Sequence, residues 1–150
     1  MIRSLILSAA MALALLVWAP RPLAAPAVVG TLVVTETDQG TVTLYKFAWT
    51  SSTGGAVSGN PFAVRKGRLM EVKFVPGTAG VQPSNSYGVT LIDTDGVDLL
   101  NGEGAGLSNA ASSRLIWDPL VYNDGVQHLD LVVSAAGNAK SGTVYLWVTQ

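Results

Sequence analysis

An all-β fold, an antiparallel β-sandwich or jelly roll of about eight strands behind an N-terminal signal-like helix, is what this sequence predicts. Three observations point there. Charged residues make up 13% of the chain and hydrophobic residues 49%, so helix-favouring Glu/Lys/Leu stretches are missing. Sixteen glycines break the chain into short β-branched runs, the composition of strands joined by tight turns. Those runs recur at a spacing of about a dozen residues, without the longer amphipathic stretches that crossover helices would need.

Met1 to Ala27 stands apart from the rest. Arg3 gives a short positive start, Leu5 to Trp18 is an apolar run interrupted only by Ser8, and Ala19-Pro20-Arg21-Pro22 breaks it. Ala25-Pro26-Ala27 supplies small residues at an A-x-A position, so the segment reads as a signal peptide cut after Ala27 or, alternatively, as an anchor-like leader. Its apolar run of about 14 residues falls short of the roughly 20 needed to cross a bilayer as a helix. Residues 28–150 then form one domain, large enough to bury a core without metal or disulfide support.

Within that domain Val28 to Thr35 is a β-branched first strand, and Asp38-Gln39-Gly40 a turn. Thr41 to Trp49 alternates, with apolar residues on both faces, which predicts a strand between two packed layers. Val57 to Val64 carries Asn60-Pro61 and therefore belongs at an edge. Arg68 to Val75 reads as a regular half-buried strand with Leu69, Glu71, Lys73 and Val75 on one face and Met70, Val72 and Phe74 on the other. After the loop Pro76 to Ser86, Tyr87 to Ile92 and Val97 to Leu100 flank the hairpin signal Asp95-Gly96. Asn101 to Ser113 is a small, polar stretch with one helical turn over Ser108 to Ala111. Leu115 to Trp117 and Leu120 to Tyr122 are short apolar patches around Asp118-Pro119. Leu129 to Ser134 and Thr143 to Thr149 predict a terminal hairpin across Ala135 to Gly142.

The chemistry available to this domain is narrow. No cysteine is present, which removes disulfides, thiolate catalysis and Cys-type zinc sites. The chain carries a net charge of −1, and without Arg3 and Arg21 seven bases face ten acids, leaving −3. That balance argues against a nucleic-acid partner. The four bases Arg65, Lys66, Arg68 and Lys73 are read as a solvated turn. His128 is the sole histidine, placed at a strand end, and no G-x-S-x-G or H-E-x-x-H motif occurs. Asp93, Asp95 and Asp98 around Gly96 form a candidate calcium loop, yet Gly96 and Glu103 miss the spacing of a calcium-binding helix–loop–helix, and an Asp-Gly turn needs no metal. Trp49 and Trp147 lie on strands, as core or interface. Trp117 and Tyr122 flank Asp118-Pro119 and are the candidate partner-binding aromatics.

Four stretches carry a resemblance: FAWTSSTGGAVSG (Phe47 to Gly59), FVPG (Phe74 to Gly77), the long run from Pro83 to Ser113, and LDLVVSAAGNAKSGTVYLWV (Leu129 to Val148). Over about residues 31 to 149 the chain resembles a family of small, uncharacterised β-rich proteins encoded among the structural genes of tailed phages and prophages. The resemblance implies a non-enzymatic virion protein, a capsid decoration or tail-associated component. Its partners would be proteins, either further copies of itself or capsid and tail proteins. It implies no catalytic residue and no cofactor. Members of that family begin near the first strand, so the leader Met1 to Ala27 is a departure, which implies either a mis-called start or an exported product. A genuine, cleaved leader would instead suit an exported periplasmic or extracellular binding or adhesion module.

Overall fold

The computed structural model describes residues 29–116, 122–123 and 127–150. The leader, with its expected helix, and Trp117 lie outside the described residues. Among the described residues nine strands form: β1 (Thr31–Asp38), β2 (Val42–Thr50), β3 (Pro61–Val64), β4 (Gly67–Pro76), β5 (Gly88–Ile92), β6 (Ser113–Ile116), β7 (Tyr122–Asn123), β8 (Gln127–Ser134) and β9 (Ser141–Thr149). They make two antiparallel sheets. The larger runs β1-β2-β9-β4-β6, with the two-residue β7 also on β4, and the smaller runs β3-β8-β5. No helix among the described residues is long and apolar enough to cross a membrane.

The sheets meet across one core. Alternate residues of β2 (Tyr45, Phe47, Trp49) and of β9 (Val144, Leu146, Val148), with Leu69, Val72 and Phe74 of β4, are buried against Phe62 and Val64 of β3, Val89 and Leu91 of β5, and Leu129, Leu131 and Val133 of β8. Phe47 meets Phe62 across the layers with ring centroids 4.5 Å apart, and Trp49 meets Tyr87 at 5.8 Å. Room for the Trp49 indole comes from Gly142, where a Cβ would stand 2.5 Å from Cζ2. Burial pushes the Tyr87 hydroxyl up to about 12 and also raises Tyr45, whose oxygen accepts the Arg65 backbone N–H at 2.9 Å.

Several expectations hold. The Asp38 turn closes the β1–β2 hairpin, with Asp38 Oδ1 accepting the Gly40 N–H at 2.8 Å. Pro61 opens β3, an edge strand of the smaller sheet, where the missing N–H costs no ladder bond. β1 starts later than its apolar run and continues to Asp38, because pairing with β2 extends to Thr43.

Others are corrected. The terminal hairpin does not form: β8 sits in the middle of the small sheet and β9 in the middle of the large one. Residues 135–140 are a crossover instead, pinned by Ser51. Its Oγ donates to Gly137 O at 2.6 Å and accepts from Lys140 N at 2.9 Å, and Ser51 N donates to Lys140 O at 2.7 Å. β4 is not regular. Its pairing with β9 shifts between Leu69 and Glu71, a β-bulge that turns both Met70 and Glu71 outward and returns Leu69 to the core beside Val72 and Phe74. Val97 to Leu100 contributes only a bridge between Asp98 and Ile92, and its loop instead lies along the free edge of β5. Ser108 to Ala111 is a bend held by the Ser108 hydroxyl, which accepts the Ala110 and Ala111 N–H groups, rather than a helical turn. Finally, β2 has no second packed layer over its other face among the described residues; Lys46 and Ala48 are exposed there.

Candidate functional site: the outer face of the large sheet

That open face is built from residues one step out of phase with the core. Antiparallel pairing places directly opposed residues on the same side, so the register gives its rows. One row runs Leu44, Trp147, Glu71, Ile116; the next runs Lys46, Tyr145, Lys73, Arg114; a third begins Val42, Thr149, Arg68. Tyr145 and Trp147, two residues apart on β9, turn their rings to one another at 5.9 Å and 29°. The bulge adds Met70 to the Trp147 side, and Ile116 is 67% exposed. Together Gln39, Val42, Met70, Glu71, Ile116 and Trp147 line a shallow hollow of about 270 Å³.

Beside this apolar hollow lies a line of cations. Lys46 and Lys73 flank Tyr145 from the neighbouring strands, each about 4.8 Å away in the backbone. Lys73 in turn stands directly opposite Arg114. Like charges opposed across a ladder destabilise a sheet, so this row costs the isolated domain some stability. Glu71 is the only acid at the described strand positions of this face. Its Oε1 is 2.9 Å from Arg114 Nε, while the same oxygen, shielded from water, lacks an aligned hydrogen bond. The contact is therefore an ion pair of poor angle. It offsets part of the repulsion and leaves Lys46 and Lys73 facing outward.

The sequence-derived candidates fare differently. Tyr122 enters β7 opposite Arg68, at the margin of this face, and Trp117 is not described. The four bases are divided: Arg68 and Lys73 join the outer face, whereas Arg65 pairs with Glu36 and Asp38 on β1. His128 is exposed on β8 opposite Ala63. Asp93 and Asp98 act as backbone acceptors. Asp93 Oδ1 takes the N–H groups of Asp95 and Val97, at 2.9 and 2.8 Å. Asp98 takes those of Leu91 and Leu100 on Oδ1, at 3.1 and 3.0 Å, and Gly102 on Oδ2, at 3.0 Å. Asp95 stays exposed, and Gly96 supplies the left-handed turn with φ of 82°. Among the described residues no three His, Asp or Glu side chains converge as a metal site.

The residues that matter most here, Tyr145, Lys46, Met70 and Ile116, belong to no recognisable site motif in the sequence. The signal was present in β2 and β9, where the outward alternates include Val42, Leu44, Tyr145 and Trp147 among Lys46, Thr143 and Thr149. Comparison with protein-family models, with curated proteins and with solved structures gives no match to this chain.

Proposed function

We propose that the protein is a non-enzymatic accessory module of a multi-copy assembly, a β-sandwich of the capsid-decoration or tail-associated kind that its phage-family resemblance implies. It attaches to neighbouring protein by the outer face of its large sheet. One observation carries this reading: the face combines Trp147, Tyr145, Met70 and Ile116 with a cationic row, and no second layer covers it among the described residues. Trp, Tyr, Met and Arg are the side chains that protein interfaces concentrate. A flat face also fits a broad protein surface better than a small substrate, which is held in a deeper cavity. Weak single contacts suffice where many copies bind one repeating surface.

The test is to isolate particles from the source by density gradient and measure the intact mass and copy number of the bound chain. The protein is expected to band with the particles at a fixed ratio, and a Trp147→Ser/Ile116→Ser variant to stay in the soluble fraction. A second reading, an exported binding module, rests on the leader-type pattern of Met1 to Ala27. Recovery solely from periplasm or medium, with Val28 as the first residue, would select that reading over the first.

A further inference from the structure

Charge is distributed unevenly over this molecule. Between Lys73 and Arg114 the chain has four acids, Asp93, Asp95, Asp98 and Glu103, and no base at all. All four lie in the loop after β5, on the flank of the small sheet. The cations Lys46, Lys73 and Arg114 lie on the outer face of the large sheet, which points away from that flank.

The acidic loop is also rigidly built. The Asp93 and Asp98 carboxylates hold its backbone through the hydrogen bonds given above. Leu99 N donates to Leu91 O at 2.8 Å, and Gly104 O accepts from Val89 N at 2.8 Å, so the loop is laced to the edge of β5. Asp95 and Glu103 are exposed on this frame, and between them Val97 is 56% exposed. The loop thus offers an apolar side chain accompanied by two solvent-facing carboxylates. The outer face offers an apolar hollow of about 270 Å³ beside two lysines.

We propose that these two surfaces are partners between copies: the Asp93–Glu103 loop of one molecule docks on the outer face of the next. Val97 enters the hollow formed by Gln39, Val42, Met70, Glu71, Ile116 and Trp147, where Arg114 offsets the Glu71 charge, and Asp95 and Glu103 meet Lys46 and Lys73. This inference rests on the outer face being a protein-binding surface and names its occupant, a second copy of the chain. The contact is head to tail, because the two patches lie on different sides of the molecule. Such a contact joins copies into a ring or an open row rather than a closed two-fold dimer. It also gives a use to the like-charge row, which carboxylates from a neighbour would neutralise.

Complementary charge reversal in the full chain tests this. Lys46→Glu/Lys73→Glu removes the acceptor patch, and Asp95→Lys/Glu103→Lys removes the donor loop; all four side chains are solvent-facing or half-buried, and circular dichroism checks that both variants fold. In sedimentation velocity the wild type is expected to form concentration-dependent oligomers. Their dissociation constant should rise by about tenfold or more between about 50 mM and about 500 mM salt. Each variant alone should be a monomer, and an equal mixture should recover oligomers, since the unaltered loop of one variant meets the unaltered face of the other and the two reversed patches also match in charge. A wild type that stays monomeric at every concentration overturns the proposal. So do oligomers unaffected by either reversal, or a mixture that fails to associate. If Trp147→Ser/Ile116→Ser disperses oligomers that the reversals leave intact, the head-to-tail partner is wrong while the outer face survives as an interface.

Discussion

The two faces of the large sheet both carry large apolar and aromatic side chains, and these have different fates. Along β9, Val144, Leu146 and Val148 point to one side, and Tyr145 and Trp147 to the other. Along β2, Tyr45, Phe47 and Trp49 point inward and Val42 and Leu44 outward. The inner set is at most 2% exposed because β3, β8 and β5 lie over it; the outer set is only half-buried by its own neighbours. The presence of large apolar side chains therefore does not by itself separate core from interface here. The cover does, and so do the cations Lys46, Lys73 and Arg114, which a sealed core could not hold without paired anions.

The largest expected effect separates the two tryptophans. Trp49→Ala should cost about 3–5 kcal/mol, since it empties a packed space between the layers. Trp147→Ala should cost about 1 kcal/mol, the order of its ring contact with Tyr145. Urea denaturation of the two variants measures both, and equal losses would mean that the outer face is covered after all.

The bulge gives a second comparison. Because Leu69 and Glu71 oppose the consecutive residues Val148 and Trp147, deleting Met70 restores a regular ladder without shifting any other pair. The deletion is expected to cost about 1–2 kcal/mol. Inserting one residue after Val72 would send Phe74 to the outer face and should unfold the domain. Thermal melts of the two single-residue length variants decide this.

Alkaline pH probes the burial of Tyr87. An unfolded tyrosine ionises near 10, and folded Tyr87 at about 12. The folded state thus keeps a proton that the unfolded state releases. Stability should be fully present below pH 10 and fall as pH rises through the window to 12. Absorbance titration at the phenolate band, native against urea-unfolded, should show this late-ionising group; a native curve identical to the unfolded one would contradict its burial.

The smallest effect has the opposite sign. Lys73→Gln removes the like charge opposite Arg114 and should raise the stability of the monomer by a few tenths of a kcal/mol, while weakening self-association. Matched unfolding and sedimentation measurements would separate the two roles.

Much of the architecture was legible in the residues themselves. The Asp38 turn, the Pro61 edge strand and the Asp95-Gly96 turn each follow from local chemistry that the chain carries at those positions. Sheet membership was not. Ala135 to Lys140 has turn composition whether it closes a hairpin or crosses between layers, and the choice is made by Ser51, more than eighty residues earlier in sequence. The β4 bulge was hidden for a similar reason: Leu69 and Met70 suit either face, and only the fixed register of β9 decides which turns in. The outer face was half legible. Its apolar residues are visible in the alternation of β2 and β9, but alternation gives phase and not what lies above.

The position of β9 has a consequence for how the protein is made. β9 is the central strand of the large sheet, between β2 and β4, and it follows every other described strand. Its pairings with β2 span about a hundred residues, the kind of distant contact that slows folding. A nascent chain can close the β1–β2 hairpin early, yet β2 and β4 have no shared neighbour until β9 leaves the ribosome. Tyr145 and Trp147 arrive on that same strand. The sticky surface is thus completed by the step that completes the fold, and unfinished chains emerging close together have no finished face with which to capture one another.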